Sequence, residues 1–447
     1  MKRLIWAPVL LGFGLAALAS SSWETAAQTP AAQSAAAATA TFAKDVAPIL
    51  QRSCQKCHRP GSMAPMSFMT YEDVRPWART IRQKVTAREM PPWYIDRTVG
   101  IRKFENDPSL SDAEVSTIVR WVDGGALRGN TADMPPPVQF GDDDIWHIGK
   151  PDLVVKSRQH TIPANGSDWW GDYVVDTGLT EDRYLKAVET KPSSGSKQVV
   201  HHAVTYLVQD ETGAEELIGR GGGLEGGFLN EYAVGKNGDV FPEGTGRLVK
   251  AGAKIRFNMH YHSNGEEKVD QSEVALVFYP KGYVPKYYLQ SSHTGDTEDL
   301  DIPAGVDNVR SDGYTRLTKA ARITSFQPHL HNRGKAQCME AIYPDGRQEM
   351  LSCVNNYKFG WHIVYNYTED VQPLLPANTI LHVVSWHNNT ASNRYNPDPK
   401  NWAGFGQRSI DDMSFAWVNY IWLTDEDFKK QVDQRRAERS TTTQQQQ

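Results

Sequence analysis

At 447 residues, with 39% hydrophobic and 23% charged residues, the chain has room for about three globular domains with real cores. A formal net charge of -5 gives no electrostatic reason to expect nucleic acid as a partner. Thirteen Trp and eighteen Tyr, scattered rather than clustered, suit aromatic cores in β-rich domains.

The N-terminus reads as an export signal over residues 1–27. Lys2 and Arg3 precede an apolar run, Leu4 to Leu18, that closes on the small residues Ala17-Leu18-Ala19. The run is shorter than the ~20 apolar residues of a membrane span; an uncleaved anchor is the alternative. Residues 28–40 are an Ala-rich linker. No later segment is long and apolar enough to cross a bilayer, so the mature chain is expected to be periplasmic or secreted, without a transmembrane span.

Residues 41–130 read as a small all-α haem domain. Cys54-Gln55-Lys56-Cys57-His58 is C-x-x-C-H: two thiols at this spacing form thioethers to a porphyrin edge, and the adjacent His reaches the iron. A zinc half-site or a thioredoxin-like pair would use similar residues, but no second Cys/His pair follows nearby. Phe42, Val46, Ile49 and Leu50 have helical spacing ahead of the motif. Ser111-Asp112-Ala113-Glu114 is a capping box opening a helix through Val115, Ile118, Val119 and Val122, and Gly124-Gly125 ends it. This is the small cytochrome c pattern, with one covalent haem c. Met90, in a proline-stiffened loop well downstream of His58, is the expected second iron ligand. Met63, Met66 and Met69 follow His58 closely and are the alternatives.

A Pro-rich joint over 131–145 changes the pattern to strands. Lys254 to His262 is the clearest: Ile255, Phe257, Met259 and Tyr261 take one face, and Lys254, Arg256, Asn258, His260 and His262 the other. Val199–Val208, Glu273–Tyr279, Thr379–His387 and Phe415–Leu423 read similarly. The expected fold class is multidomain: the all-α haem domain, then two all-β antiparallel jelly rolls or sandwiches over 146–290 and 291–427. A polar, disordered tail is expected over 428–447.

Thirteen histidines include three close groupings, His201-His202, His260-Tyr261-His262 and His329-Leu330-His331. Residues i and i+2 of a strand share a face, so an H-x-H pair can grip one metal. Adjacent His201 and His202 point oppositely in a regular strand and reach one ion only if a bulge or strand end re-aims one. Imidazole suits zinc, copper, iron and nickel alike, whereas a soft thioether points to cuprous copper.

His201-His202-Ala203-Val204, Met259-His260-Tyr261-His262-Ser263-Asn264, Pro328-His329-Leu330-His331-Asn332-Arg333-Gly334-Lys335, and Gly404-Phe405-Gly406 followed by Asp411-Asp412-Met413 occur in this order. Together they resemble the catalytic core of the copper type II, ascorbate-dependent monooxygenases, the peptidylglycine α-hydroxylating and dopamine β-monooxygenase family, over most of residues 150 to 425. The resemblance implies two unlike copper sites. His201, His202 and His260 would form an electron-transfer copper, with His262 competing for His260's place. His329, His331 and Met413 would form the oxygen-activating, catalytic copper. It implies O2 and a small organic substrate as partners, hydroxylated at a C–H bond, with two electrons arriving singly from an external donor, ascorbate or a redox protein. The fused haem would relay or replace that donor. Peptide-amidating members carry an Arg two residues before the H-x-H motif and a Tyr four after the copper Met. Here Gln327 and Trp417 stand there, which argues against a carboxylate-bearing peptide substrate.

Cys338 and Cys353 flank a turn at Tyr343-Pro344-Asp345-Gly346-Arg347. A two-residue turn would set them opposite each other; Pro344 favours a three-residue turn with Gly346 in a bulge, shifting the pairing by one. Export favours a disulfide. His147, His160, His293, His362, His382 and His387 sit singly and read as core, surface or supporting groups. The competing reading is a haem–copper electron carrier or copper-binding protein without oxygenase activity. A third is a binding jelly roll tethered to a cytochrome, which would hold iron but no copper.

Overall fold

The computed structural model describes residues 39–445, apart from 61, 141–145, 210–226 and 233–237. The expected export signal therefore lies outside the described residues, as does nearly all of the Ala-rich linker. The fold is mostly β-sheet with few helices.

Apart from a C-terminal helix, the α-helices lie between Phe42 and Asp123. Phe42–Val46 and Ala47–Ser53 run into the C-x-x-C-H segment; Tyr71–Val74, Ala78–Thr86 and Asp112–Asp123 complete the group. Their apolar faces meet in one core containing Phe42, Val46, Leu50, Ile81, Ile118 and Trp121. The capping box forms as the sequence predicts: the Glu114 N–H donates to the Ser111 hydroxyl, and Ser111 N–H donates back to the Glu114 carboxylate at 2.8 Å. Between Met90 and Leu110 the chain leaves this core. Tyr94, Ile95 and Phe104 are buried in the second β core, and the Asp96 N–H donates to the Cys353 carbonyl at 2.7 Å. Gly100 passes so close to Leu351 that a Cβ would lie 2.4 Å from its carbonyl oxygen, and its φ of +61° also favours glycine. Within the span expected to be one haem domain, this loop is thus pinned to the β region.

Two sandwiches follow, each with its own core. In the first, Trp169–Asp176, Lys254–Tyr261, Val200–Val208 and Gly227–Tyr232 form a four-stranded sheet. Ile255, Phe257, Met259 and Tyr261 are all buried, the alternation the sequence predicts. They pack against Leu185, Val188, Val274 and Leu276 of a larger sheet. In the second, Val309–Arg316, Ile380–His387, Gly334–Ile342 and Gln348–Val354 pack through Met339, Leu351, Leu381 and Val383 on Ile323, Phe326, Val418 and Tyr420 of that same larger sheet. The larger sheet, ten-stranded among the described residues, runs unbroken behind both. Tyr287–Thr294 joins the halves, pairing in parallel with Thr245–Val249 and antiparallel with Phe415–Leu423. The boundary expected at 290/291 falls inside this strand.

The hairpin turn is the three-residue kind: Tyr343 N–H bonds to the Arg347 carbonyl, with Gly346 at φ +83°. The shift this introduces is undone by a second irregularity between Met339 and Glu340, so Cys338 ends opposite Cys353 and the two form a disulfide.

The disordered tail is corrected. Asp425–Gln445 is a helix, opened by the Asp427 N–H donating to the Thr424 hydroxyl and by three acidic residues at the positive end of the dipole. Arg435 fastens it through the Gln372 and Glu369 carbonyls. The helix has no apolar stripe, so periodicity could not reveal it. Among the described residues no helix is long and apolar enough to cross a membrane.

Candidate metal centre

The first histidine group lies on the four-stranded sheet of the first sandwich. His202 pairs with His260 across neighbouring strands, and the register shifts between Val200 and His202, so His201 is the extra residue of a bulge. The bulge lets adjacent histidines converge, as the sequence required. His201, His202 and His260 each offer a ring nitrogen within 4.8 Å of the others. His262 stands further off, its ring 6.4 Å from that of His201. Unlike its neighbours Arg256 and Asn258 on the same face, His260 is buried. Its Nε2–H donates to Asp168 at 2.8 Å, leaving Nδ1 buried and without a partner. A carboxylate behind a histidine is how metal ligands are commonly oriented. Trp170 stacks on the ring at 4.2 Å.

The second group sits where a strand of the larger sheet ends. His329 closes Ala320–His329, opposite Phe415, and stacks on that ring at 4.5 Å. His331 follows in the loop, buried, its Nδ1–H donating to the Asp411 carbonyl at 3.2 Å and leaving Nε2 available. Asp412 organises the loop. Fully buried, it accepts from the main-chain N–H groups of His331 at 2.8 Å, Met413 at 3.0 Å and Arg333 at 3.2 Å, and lies 3.4 Å from His387 Nε2. One carboxylate thus ties the His331 and Met413 segments together. Burial works to raise the Asp412 carboxyl, but His387 and these donors outweigh it and hold it below the usual carboxylate range.

Sequence reasoning placed His362 among the incidental histidines. It lies between the two groups, its ring 4.9 Å from His202 and 5.6 Å from His329. Asp168 was missed as a supporting group, being distant in sequence from His260; Asp412 lay inside the quoted Asp411-Asp412-Met413 motif without a role of its own, and His387 was read only as a core, surface or supporting histidine. The other single histidines are supporting: His382 is held between Glu340 and Asp312, His160 stacks on Tyr261, and His147 bonds Glu189.

Burial, followed by the neighbouring imidazoles, depresses His201 to about 4, His362 to about 3, and His202 and His329 well below the ordinary value. Neutral rings with inward lone pairs are what a metal needs. Nδ1 of His260 and His329 and Nε2 of His362 are buried with no hydrogen-bond partner, as expected of a donor set built for an ion. These residues fit copper.

Gln327, one strand step before His329 on the same face, donates to buried Glu231 of the first sandwich, and Trp417 packs on Phe228 at 4.5 Å. Both residues that depart from the family pattern therefore bridge the sandwiches.

At the C-x-x-C-H segment Cys54 and Cys57 are not joined in a disulfide, and burial pushes Cys54 up to about 12. A thioredoxin-type pair needs the opposite shift. His58 donates from Nδ1 to the Met66 carbonyl at 3.2 Å, which leaves Nε2 for iron. These residues fit a covalent haem. Met66, like Cys54, packs against the helical core. Met90 instead lines a cleft of about 770 Å³ that continues past Lys358 to Phe359 and Gly360.

No protein-family model matches the chain, and no curated protein matches it in sequence. The infectious bursal disease virus VP2 subviral particle resembles it at 8% identity over 65% of this chain and 76% of that one, with a TM-score of 0.20. PNGF-II does so at 8% identity over 64% of each chain, TM-score 0.23. Bacillus subtilis oxalate decarboxylase does so at 8% identity over 66% of this chain and 86% of that one, TM-score 0.13. Likenesses this slight carry no argument about this chain.

Proposed function

We propose that the chain is an exported haem–copper monooxygenase that hydroxylates a C–H bond of a small, uncharged organic substrate with O2. The observation that carries this reading is a pair of unlike histidine groups on adjoining sandwiches: three converging imidazoles on one, and two imidazoles beside the Met413 segment on the other. Bound copper would supply one-electron transfer at the first group and oxygen activation at the second, and haem c would relay single electrons from an external donor.

The chain's own residues orient and select. Asp168 fixes the tautomer of His260, and Asp412 with His387 holds the His331 and Met413 segments in register. Next to His329, Gln327 is turned onto Glu231, so an anionic substrate would meet a buried carboxylate there. Cys54, Cys57 and His58 would hold the haem. Met90 is the proposed second iron ligand and Met66 its competitor; loss of the thioether–iron absorption in Met90→Ala but not Met66→Ala assigns Met90, and the reverse assigns Met66.

The test is metal content together with coupled oxygen uptake. Protein matured through a haem-attaching pathway should carry one haem and two copper ions, and after reduction should take up O2 in step with hydroxylated product. Met413→His substitutes a harder ligand, so copper should remain while hydroxylation falls sharply. Zinc at both groups after copper loading would sink the copper reading. Copper binding with haem oxidation but no product across a panel of organic substrates would favour an electron carrier.

A further inference from the structure

The cleft that Met90 lines, about 770 Å³, has the size of a small-molecule site, and its charge is uneven. Lys84, Lys335, Lys358 and Arg394 line it against one carboxylate among the described residues, Glu89. Lys84 is paired with Glu89, and Lys335 with Asp307. Lys358 and Arg394 make no ion pair among the described residues; their charged ends lie 5.8 and 4.7 Å from the ring centre of Tyr395, which also lines the cleft. Glu89 registers this field: Lys84 does most to hold its carboxyl below the usual carboxylate range, and Arg394 and Lys358 add to the effect. Cations left unneutralised in a cleft with protein walls attract and concentrate small anions.

The walls limit what such an anion can do. Phe359, on the cleft wall, holds its ring 5.4 Å from His331 and 6.4 Å from His201. A Cβ added at its neighbour Gly360 would lie 3.9 Å from His201 Nε2. A molecule in the cleft therefore meets an aromatic ring and a stretch of backbone, not an open metal position, and does not present a C–H bond to the histidine groups. Giving up an electron needs no such contact. With Met90 at the iron, a side chain bonded to the haem is itself part of the cleft wall.

We propose that this cleft is the docking site of the external electron donor, and that the donor is a small organic anion able to give up one electron. The anion loses one electron to the ferric haem, which becomes ferrous, and leaves as a radical; no bond to the protein forms or breaks. The proposal rests on the haem reading above, with Met90 at the iron, and supplies a donor site that the resemblance leaves open.

The test uses the full chain, matured with haem and kept free of copper and oxygen, with ascorbate as the probe. Stopped-flow reduction of the ferric haem should saturate with ascorbate concentration, and malonate, an anion that gives up no electrons, should compete. The double variant Lys358→Glu/Arg394→Glu should raise the half-saturating ascorbate concentration by roughly tenfold or more, with the haem potential unchanged. Reduction by an uncharged hydroquinone should be the same in variant and wild type. A rate that rises linearly with ascorbate without saturating overturns the proposal, as does a variant indistinguishable from wild type. Equal slowing of both reductants overturns it too, because the donor's charge then makes no difference. Calorimetry with malonate separates the site from the reading beneath it. Protein that attaches no haem brings down the functional reading, whereas haem-bearing protein that binds no malonate brings down the docking site alone.

Discussion

The two histidine groups reach similar ring spacings by different means. The first is set by a β-ladder: His202 and His260 face each other because their strands pair, and one bulge brings in His201. In the second, His329 ends its ladder opposite Phe415, but His331 and Met413 lie beyond it, where a buried carboxylate does the aligning. Backbone pairing places side chains with little further support, whereas a loop site needs a polar network whose members are all satisfied. The first group should therefore tolerate loss of its outer partner better than the second tolerates loss of Asp412.

Asp412→Ala is the severest break in that comparison. It takes the carboxylate away from His387 and releases the main-chain donors of His331, Arg333 and Met413, so a loss of about 3–5 kcal/mol is expected, with loss of one copper per chain. Urea unfolding and copper analysis check both; a variant with wild-type stability and two copper ions would show that the loop holds itself.

Acid should act next, and mainly on the histidine groups. His201 is depressed to about 4 by burial and then by His260 and His262, against 6.5 for the free side chain. Between these values the unfolded chain binds a proton that the folded chain refuses, so the contribution is fully present above pH 6.5 and is lost as pH falls toward 4. For His201 alone the loss is on the order of 3 kcal/mol. Denaturation of the metal-free protein at pH 7 and pH 5 should show the drop, and His201→Gln should make it smaller by that one residue's share, the rest coming from His202, His329 and His362. A flat profile in wild type contradicts the burial of these rings as neutral groups.

The disulfide sits on the second sandwich only. Removing it with Cys338→Ser and Cys353→Ser frees a loop with a sequence separation of 15, and about 3 kcal/mol of stability should go with it. Copper stoichiometry should stay at two, because the hairpin register is also held by its strand pairing. Loss of the second copper would show that the covalent link, not the ladder, positions that side of the site.

Asp168→Ala should do least. It removes the acceptor behind His260, and a carboxylate of this kind supports metal affinity by about 10–100-fold. Chelator competition should find the first site weakened by that factor with unfolding unchanged, since Asp168 is exposed. A loss of the ion as complete as in His260→Ala would mean the ladder places His260 less firmly than its pairing implies.

Local pattern was enough for much of this molecule. Period-two alternation marked Lys254–Tyr261 with the correct buried face, and the strands ending at Val208, His387 and Leu423 lie where alternation put them. The Ser111 capping box and the three-residue turn at Gly346 were readable because their chemistry lies within a few residues. The need for a bulge at His201 followed from the opposed directions of adjacent strand residues. The tail was misread because Asp425–Gln445 is held by its cap, by Arg435 and by Phe428 against the first core, without an apolar stripe along its length. What only the tertiary structure decided is everything that depends on two distant segments meeting. His260 rather than His262 joins the first group because strand pairing sets it against His202. Cys338 meets Cys353 because one irregularity cancels another. His362 stands between the groups, and Asp412 reaches His331 and His387, through loops whose path no periodicity encodes. Sequence spacing reports which side chains share a strand face, and a metal site is assembled from faces that come together only when the sheets pack.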